Sequence, residues 1–337
     1  MIRGNCVDLR RMVNEVEKML AINARRFFRI VLGYKDSFEA TYANSDFFDQ
    51  AASDLILEGL ESSSPMAVSR FGYSELRALL TYLHIHENTS DSKKIWSFAT
   101  GEKVEFWWSD RTTEIITHNA GVFPKDIEVI ENFCSLILQN LSDIDVLGSW
   151  LGGERWVKAM MPHAKFICFH DFYHFLHATP WTLALRNKKI LVVHPFAKSI
   201  ERQYKIKDKI FGGIHILPDF ELITYKAVQS IAGIKPERFD NWFEALDSMK
   251  SDISKIDFDI AILGCGSYGM PLATFIKKNL KKKAVHLGGN AQILFGIKGS
   301  RWENDAKFNS LINSHWVKPL PEETPPRHQT IDNSSYW

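Results

Sequence analysis

The sequence predicts an α/β protein with a doubly wound, mostly parallel sheet, Rossmann-like βαβ units and additional N-terminal helices. Three short runs predict strands, at residues 66–70, 189–193 and 258–263. The last two are apolar and rich in β-branched residues, which is typical of strands buried on both faces. Helical periodicity separates these runs, most clearly at residues 127–141 and 242–253. A glycine-rich turn also follows the last of the three runs, as in a βαβ unit that binds phosphate.

The bulk composition is that of an ordinary globular protein. Of the 337 residues, 45% are hydrophobic and 24% are charged, so the chain can bury a sizeable core. The formal net charge of +1 argues against a dedicated nucleic-acid surface. The four cysteines form no C-x-x-C pair, which indicates neither a disulfide framework nor a cysteine zinc site. With no signal-peptide pattern and no run of about 18 apolar residues, we expect a cytoplasmic protein.

Three segments are predicted along the chain. Residues 1–62 form an N-terminal helical segment, residues 63–305 an α/β domain, and residues 306–337 a Pro-rich C-terminal extension. From residue 315 onward the chain is rich in proline and polar residues. We expect this last part to wrap the surface without regular structure.

The N-terminal segment begins with a basic amphipathic pattern. Residues 8–32 have helical periodicity, and the face opposite the apolar one carries several arginines and lysines. Such a helix usually packs on its own domain or on a dimer partner, so a homodimer is one expectation. The alternative is peripheral contact with an anionic membrane, at its inner face. Residues 46–60 predict a second helix.

The first strand leads into a polar cluster. Arg70, Gly72, Tyr73 and Glu75 follow it directly, and a helix is predicted from there through residue 83. Because open α/β sheets place ligands at the carboxyl ends of their strands, these residues are site candidates. The alternative role for Glu75 is to favour the first turn of its helix through the helix dipole.

The middle of the chain is less clear. Its tryptophans, Trp150 and Trp156 among them, suit stacking against sugar rings, but core packing is the usual role of such residues. Strands are predicted at residues 145–147 and 166–169. His170, His174 and His177 would share one helical face, so a metal site is one interpretation, although a zinc site needs further ligands.

Asp171 stands among these histidines at the end of a predicted strand. It is either a helix N-cap or a functional carboxylate. The strand at residues 189–193 ends in a second polar cluster that contains His194, Lys198 and Ser199. Imidazole, ammonium and hydroxyl groups beside a helix start suit an oxyanion such as phosphate. Residues 214–217 predict another strand and residues 222–231 a helix.

The glycine turn has the pattern G-x-G-x-x-G. It comprises Gly264, Gly266, Ser267, Tyr268 and Gly269 and leads into a predicted helix at residues 270–280. Its backbone amides could receive a phosphate, or its glycines could only permit close packing of helix against strand, and the pattern alone leaves both open. The next strand, at residues 284–287, ends without the carboxylate that binds a ribose in dinucleotide sites, which disfavours NAD.

A final group of candidates follows that strand. Gln292, Lys298, Arg301 and Trp302 lie in a glycine-bounded stretch. A lysine and arginine pair can clamp a diphosphate, and a tryptophan can stack on a base or sugar. The same residues could equally cap a helix and shield the core.

Four short motifs resemble the GT-D-fold glycosyltransferases, a bacterial group linked to surface glycan and glycoprotein assembly. The motifs are Arg70-Phe71-Gly72 with Glu75, His194-Pro195-Phe196, the strand and turn at residues 258–266, and His286-Leu287-Gly288-Gly289. The similarity covers roughly residues 65–302 and implies a GT-D-like fold. In that family the first motif reads R-[FY]-G-D-G-E, and its Asp-x-Glu is implicated in nucleotide-sugar and metal binding.

The resemblance implies donor-binding roles for Arg70 and its neighbours, and one departure bears on the metal. Tyr73 stands where the family has the Asp. A single carboxylate is a poor site for Mn²⁺ or Mg²⁺, which prefer several oxygen ligands, so no metal is assigned. A basic clamp from Lys198, Lys298 or Arg301 could neutralise the diphosphate instead.

The function expected from this resemblance is glycosyl transfer. Residues 63–305 would move a sugar from a nucleotide-diphosphate donor to a glycan or lipid-linked acceptor, in surface polysaccharide or glycoconjugate biosynthesis. Glu75 is the first choice for the base and Asp171 the second. The donor would contact the glycine turn, Gly288, Gly289 and Gln292. Alternatives are a noncatalytic nucleotide-sugar or glycan-binding module, suggested by Tyr73, and a dinucleotide-dependent oxidoreductase.

Overall fold

The computed structural model describes residues 15–212, 216–308, 310–331 and 334–337. Within these residues seven strands form one sheet, and every neighbouring pair is parallel. The strands are β1 (Met66–Ser69), β2 (Val146–Ser149), β3 (Lys165–Cys168), β4 (Lys189–His194), β5 (Glu221–Lys226), β6 (Ile260–Leu263) and β7 (Lys283–His286). Their order is β3-β2-β1-β7-β6-β4-β5. The predicted α/β class with a parallel, doubly wound sheet is confirmed.

Helices cover both faces of this sheet. The α-helices in the described residues are α1 (Glu15–Val31), α2 (Asp49–Glu61), α3 (Tyr73–His86), α4 (Asp91–Ala99), α5 (Asp110–His118), α6 (Ile127–Leu141), α7 (Ala197–Tyr204), α8 (Lys207–Ile210), α9 (Trp242–Ile253), α10 (Gly269–Lys278) and α11 (Ser300–Glu303). Short 3₁₀ segments connect several of them. None of the helices in this part of the chain is long and apolar enough to cross a membrane.

The two faces of the sheet bury two separate cores. Ala67 of β1 joins the core formed with α3, α6, α9 and α10, while the next residue, Val68, joins the core formed with α2 and α7. Successive strand residues point to opposite faces. Because both faces are covered, the strands are apolar at consecutive positions, and this produced the short apolar runs in the sequence.

Two helices, α6 and α9, match the bounds that apolar periodicity predicted, and both begin at a capping residue. The Asp126 side chain accepts hydrogen bonds from the backbone amides of Glu128 and Val129 at the start of α6. Asn241 does the same for α9 through the amides of Phe243 and Glu244. Such caps satisfy amides that lack a partner within the helix, so the starting points can be read from the sequence.

Three local predictions require correction. Residues 222–231 are not a helix, because Glu221–Lys226 form edge strand β5, which pairs along its length with β4. Of the predicted strand at residues 214–217, residues 214 and 215 lie outside the described part, and Ile216 and Leu217 are not in a strand. The three histidines lie in or beside short 3₁₀ segments rather than on one helical face. The predicted first helix is described from Glu15, and residues 8–14 lie outside the described part.

The strand order places a cleft at the centre of the sheet. The chain runs outward from β1 to β2 and β3, crosses to β4 and β5, and returns through β6 to β7. Strand β7 therefore pairs with both β1 and β6. The carboxyl ends of β1, β7, β6 and β4 lie side by side where the direction of winding changes, which is where doubly wound sheets bind ligands.

Candidate functional site

A cleft of about 330 Å³ opens at this edge of the sheet, a volume within the range of ligand pockets. The segments that follow β1, β4, β6 and β7 meet there, as the order of the strands requires. The sequence-predicted residues that line it are Arg70, Gly72, Tyr73, Glu75, His194, Gly264, Gly266, Tyr268, Gly288, Gly289, Gln292 and Arg301.

Arg70 follows β1 and lines the cleft beside two neighbouring aromatic rings. Its guanidinium carbon lies 5.3 Å from the ring centre of Trp150 and 5.2 Å from that of Phe169. Burial lowers the pKa of Arg70, and the nearby Glu75 carboxylate opposes this shift. Among the described residues, its buried Nε atom has no hydrogen-bond partner. A stacked guanidinium with an unused donor is suited to an anionic ligand.

Glu75 lies in the first turn of α3, folded back over the helix start. A Cβ atom added at Gly72 would lie 1.8 Å from Oε2 of Glu75, so a residue with a side chain at this position would displace the carboxyl group. Burial raises the pKa of Glu75, and Arg70 acts against that rise. A carboxyl with a raised pKa in a cleft is a candidate proton acceptor.

His194 ends β4 and is almost entirely buried. The backbone amide of Phe196 donates to its Nδ1 atom at 2.9 Å, which leaves the ring proton on Nε2. Burial lowers the pKa of His194 to about 3, so the ring stays neutral. A Cβ atom at Gly264 would lie 2.9 Å from Nε2, so this donor borders the glycine turn.

The glycine turn divides into two parts with different roles. Gly264 and Gly266 line the cleft. Ser267 instead donates to the carbonyl of Ala120 at 2.7 Å and accepts from Nε1 of Trp242. A Cβ atom at Gly269 would lie 2.1 Å from the ring of His286. The first half of the motif is thus available to a ligand. The second half packs the helix against the strand, which is the alternative role that the sequence left open for these glycines.

Tyr268 belongs to both parts of the turn. It lines the cleft, yet its ring stacks on Trp242 with centroids 4.9 Å apart. Its hydroxyl is 3.0 Å from the hydroxyl of Ser230. The side chain therefore holds the turn in place while forming part of the cleft wall.

The glycine pair after β7 accommodates side chains of this chain. Gly288 has a left-handed φ of +59°, and a Cβ atom there would lie 3.0 Å from Nη1 of Arg70. A Cβ atom at Gly289 would lie 2.2 Å from the ring of Tyr336. These glycines let Arg70 and the C-terminal segment approach the backbone closely.

The C-terminal segment forms one wall of the cleft, which the sequence did not suggest. Ile331, Tyr336 and Trp337 line it, and Ile331 and Trp337 are buried. The Gln292 amide donates to the carbonyl of Tyr336 at 3.1 Å, and the guanidinium of Arg301 lies 4.8 Å from the Tyr336 ring centre. Gln292 and Arg301 therefore line the cleft and hold the segment in it.

Lys198 and Ser199 do not line the cleft, because a carboxylate of the same chain binds them. The backbone amides of Lys198 and Ser199 donate to Glu323 at 2.8 and 3.2 Å, and the Ser199 hydroxyl also donates to it. Glu323 is only 3% exposed. The start of α7 does receive an oxyanion, as the polar cluster predicted, but the oxyanion is an internal side chain.

Asp171 and Lys298 also lie away from the cleft lining. Asp171 accepts a hydrogen bond from the backbone amide of Asp49 at 3.0 Å, at the start of α2. Burial raises its pKa to about 6. Lys298 pairs with Glu303 at 3.2 Å. Asp171 thus contacts the start of the distant helix α2 and is not the N-cap of a helix in its own segment, as the sequence had allowed. Glu75 alone is carried forward as the base.

Sequence reasoning missed a buried carboxyl behind Arg70. Glu154 is fully buried, and burial raises its pKa to about 7 while the Ser149 hydroxyl donates to it and opposes the rise. It also interacts electrostatically with Arg70. A local signal existed, since Glu154 follows a strand and two glycines, but its proximity to Arg70 arises only from the pairing of β1 with β2.

The histidines considered for a metal do not form a ligand set. Nε2 of His170 lies 3.0 Å from the Tyr42 hydroxyl, and Nε2 of His177 lies 3.0 Å from the Asp171 carbonyl. Within the described ranges, no group of three or more His, Cys, Asp or Glu side chains could hold a metal ion. In the cleft, Glu75 stands beside Arg70, and a single carboxylate beside a guanidinium fits a divalent cation poorly.

No protein family model, curated protein or solved structure matches this chain. The fold and the cleft are therefore the basis for a functional proposal.

Proposed function

We propose that this protein is a glycosyltransferase that moves a sugar from a nucleotide-diphosphate donor to a hydroxyl of a glycan or lipid-linked acceptor. The observation that carries the proposal is the presence of Glu75, Arg70 and the Gly264–Gly266 turn in one cleft at the centre of the sheet. We place the reaction in the bacterial cytoplasm, in the assembly of surface polysaccharide or glycoconjugate precursors.

The cations of the cleft suit a departing diphosphate. Arg70 and Arg301 both line it, and Arg70 is held in position against the rings of Trp150 and Phe169. As the bond from the anomeric carbon to the diphosphate oxygen breaks, negative charge grows on that oxygen. Fixed guanidinium groups stabilise this charge more in the transition state than in the ground state.

Neutral donors complete the diphosphate site. The Nε2–H of His194 borders Gly264, and its lowered pKa keeps it from changing charge near neutral pH. The backbone at Gly264 and Gly266 lines the same region. These groups donate hydrogen bonds to phosphate oxygens and stay uncharged near neutral pH.

Glu75 is the proposed base in an inverting transfer. The acceptor oxygen bonds to the anomeric carbon, its proton passes to the Glu75 carboxylate, and the nucleoside diphosphate leaves with the bonding electron pair. Burial raises the pKa of Glu75, which makes its carboxylate a stronger proton acceptor. No step is assigned to a metal ion, because one carboxylate beside the guanidinium of Arg70 is a poor ligand set.

Donor binding and turnover test the proposal separately. Thermal shift with UDP, GDP, CMP and TDP sugars, with NADH alongside, should show selective stabilisation by one sugar nucleotide, by about 2.7 kcal/mol at roughly a hundredfold excess over Kd. Glu75→Gln should keep this shift and lower kcat by about 10²–10⁴-fold. Glu58→Gln, at an exposed position on α2, is the matched control.

The pH profile adds a second readout. Because the pKa of Glu75 is raised, the acidic limb of kcat/KM should lie above the usual carboxyl range, with activity rising as Glu75 loses its proton. Full activity of Glu75→Gln would remove Glu75 as the base. Donor binding without any turnover by the unmodified protein would favour a noncatalytic module, and a shift with NADH alone would favour an oxidoreductase.

A further inference from the structure

Helix α1 is fixed to the protein by one face. Ala21 is fully buried on this face. Arg25 donates to the carbonyls of Phe98 and Lys103 at 3.0 and 3.2 Å, and to the Asp36 carboxylate at 2.6 Å. Three hydrogen bonds from one half-buried guanidinium define which side of the helix faces inward.

The opposite side of α1 is apolar and faces outward. Its large side chains are exposed by half or more of their area: Met19 by 57%, Leu20 by 58%, Phe27 by 53%, Ile30 by 69% and Val31 by 61%. Their spacing places them on one side of the helix. A surface helix normally turns its apolar side toward the core, so this orientation indicates that the surface has a partner. We call these five residues the α1 apolar face.

Aromatic and basic residues continue this surface. The Phe28 ring stacks on Tyr34 and contacts Trp96, with centroids 5.3 and 5.4 Å apart. Tyr34 and Trp96 are 46% and 60% exposed. Tyrosine and tryptophan are favoured where an apolar layer meets water, since each has an apolar ring and a polar end.

The charge of the same region is positive. Arg26, Arg29 and Lys35 are exposed, and they flank the α1 apolar face along the chain. Cations on the sides of an apolar helix face attract an anionic lipid surface. A second copy packed through the same face would instead bring equal charges together at a symmetric interface.

We propose that the α1 apolar face inserts into the surface of an anionic lipid bilayer, with the flanking cations contacting lipid headgroups. Shortly after α1, Phe38 packs edge to face against Tyr73, with ring centroids 5.0 Å apart. Tyr73 lines the cleft. The segment that follows α1 therefore reaches the cleft wall at Phe38. The docking does not depend on the proposed transferase activity.

Vesicle flotation of the full chain tests this docking. The protein should float with vesicles of phosphatidylcholine and phosphatidylglycerol and remain unbound with phosphatidylcholine alone. Phe27→Glu should lower binding at least about tenfold by placing a charge in the apolar layer. Arg26→Gln should lower it about fivefold, and less at high salt. Leu176→Glu, at a residue 52% exposed elsewhere, should leave binding unchanged.

Two results would overturn the docking. One is equal binding of the unmodified protein and Phe27→Glu to anionic vesicles, or no binding by either. The other is a dimer in light scattering that Phe27→Glu dissociates, which would assign the face to a second copy. Because these residues lie outside the cleft, donor binding measured in the same variants reports on the transferase proposal independently.

Discussion

The burial of the two ends of the described chain is the opposite of what the polarity of their sequences suggests. The C-terminal segment is rich in proline and polar residues, yet it buries Glu323, Ile331 and Trp337 and forms a wall of the cleft. Helix α1 is amphipathic, yet its apolar face points outward. Polarity of a segment thus predicts its surroundings poorly when a few side chains make the contacts.

Among substitutions that test this difference between the two ends, we expect the largest loss of stability at Trp337. It is 5% exposed and packs with Phe196 and Tyr336. Trp337→Ala should lower the free energy of unfolding by about 3–5 kcal/mol, because it leaves a cavity. Trp96→Ala removes the same side chain at a 60% exposed position near α1 and should cost less than about 1 kcal/mol. Urea denaturation measures both, and equal losses would contradict the contrast.

The second effect concerns the carboxylate at the start of α7. Glu323→Ala should lower the free energy of unfolding by roughly 2–3 kcal/mol, since two backbone amides and the buried Ser199 hydroxyl lose an acceptor. Its neighbour Glu322 is exposed and lies 3.7 Å from Lys198. Glu322→Ala should change stability by no more than about 0.5 kcal/mol in the same denaturation experiment. A stable Glu323→Ala protein would show that the segment is held by its apolar residues alone.

The smallest effect sharpens the role of the segment in the cleft. Tyr336→Ala should weaken binding of the nucleotide-sugar donor about tenfold, because Arg301 loses the ring that holds its guanidinium in position. Tyr336→Phe keeps that ring and should bind as the unmodified protein does. Tyr34→Ala, on the α1 side, should leave donor affinity unchanged. Calorimetric titration compares the three, and unaltered affinity in Tyr336→Ala would restrict the segment to a structural role.

The sequence predicted the elements whose signals are local. Helices α6 and α9 begin at Asp126 and Asn241 caps, and β1, β4 and β6 are apolar runs buried on both faces. Strand β5 was missed because it lies at the edge of the sheet, where β4 is its single neighbour among the described strands, and because most of its residues are half-buried. A half-buried run with apolar residues at several spacings is ambiguous until its partner strand is known.

The candidate site was predictable to the extent that it consists of strand ends. Arg70, Glu75, His194 and Gly264 each follow or end a strand, and parallel strands bring their carboxyl ends to one edge. Lys198 and Ser199 followed the same reasoning but bind Glu323. No sequence pattern near Ser199 indicates that a carboxylate from a distant segment binds there. The contact with Glu323 therefore could not be predicted from the sequence.

By itself, the amino-acid sequence determined the α/β class, the central strands and the residues that follow the carboxyl ends of these strands at the cleft. Periodicity, caps and glycine turns act over a few residues, so they can be read without knowing the fold. Only the tertiary structure decided that Glu323 occupies the start of α7, that Tyr336 walls the cleft and that α1 turns its apolar face outward. Each of these features depends on which distant segments come into contact. Burial is set by those tertiary contacts and not by local composition.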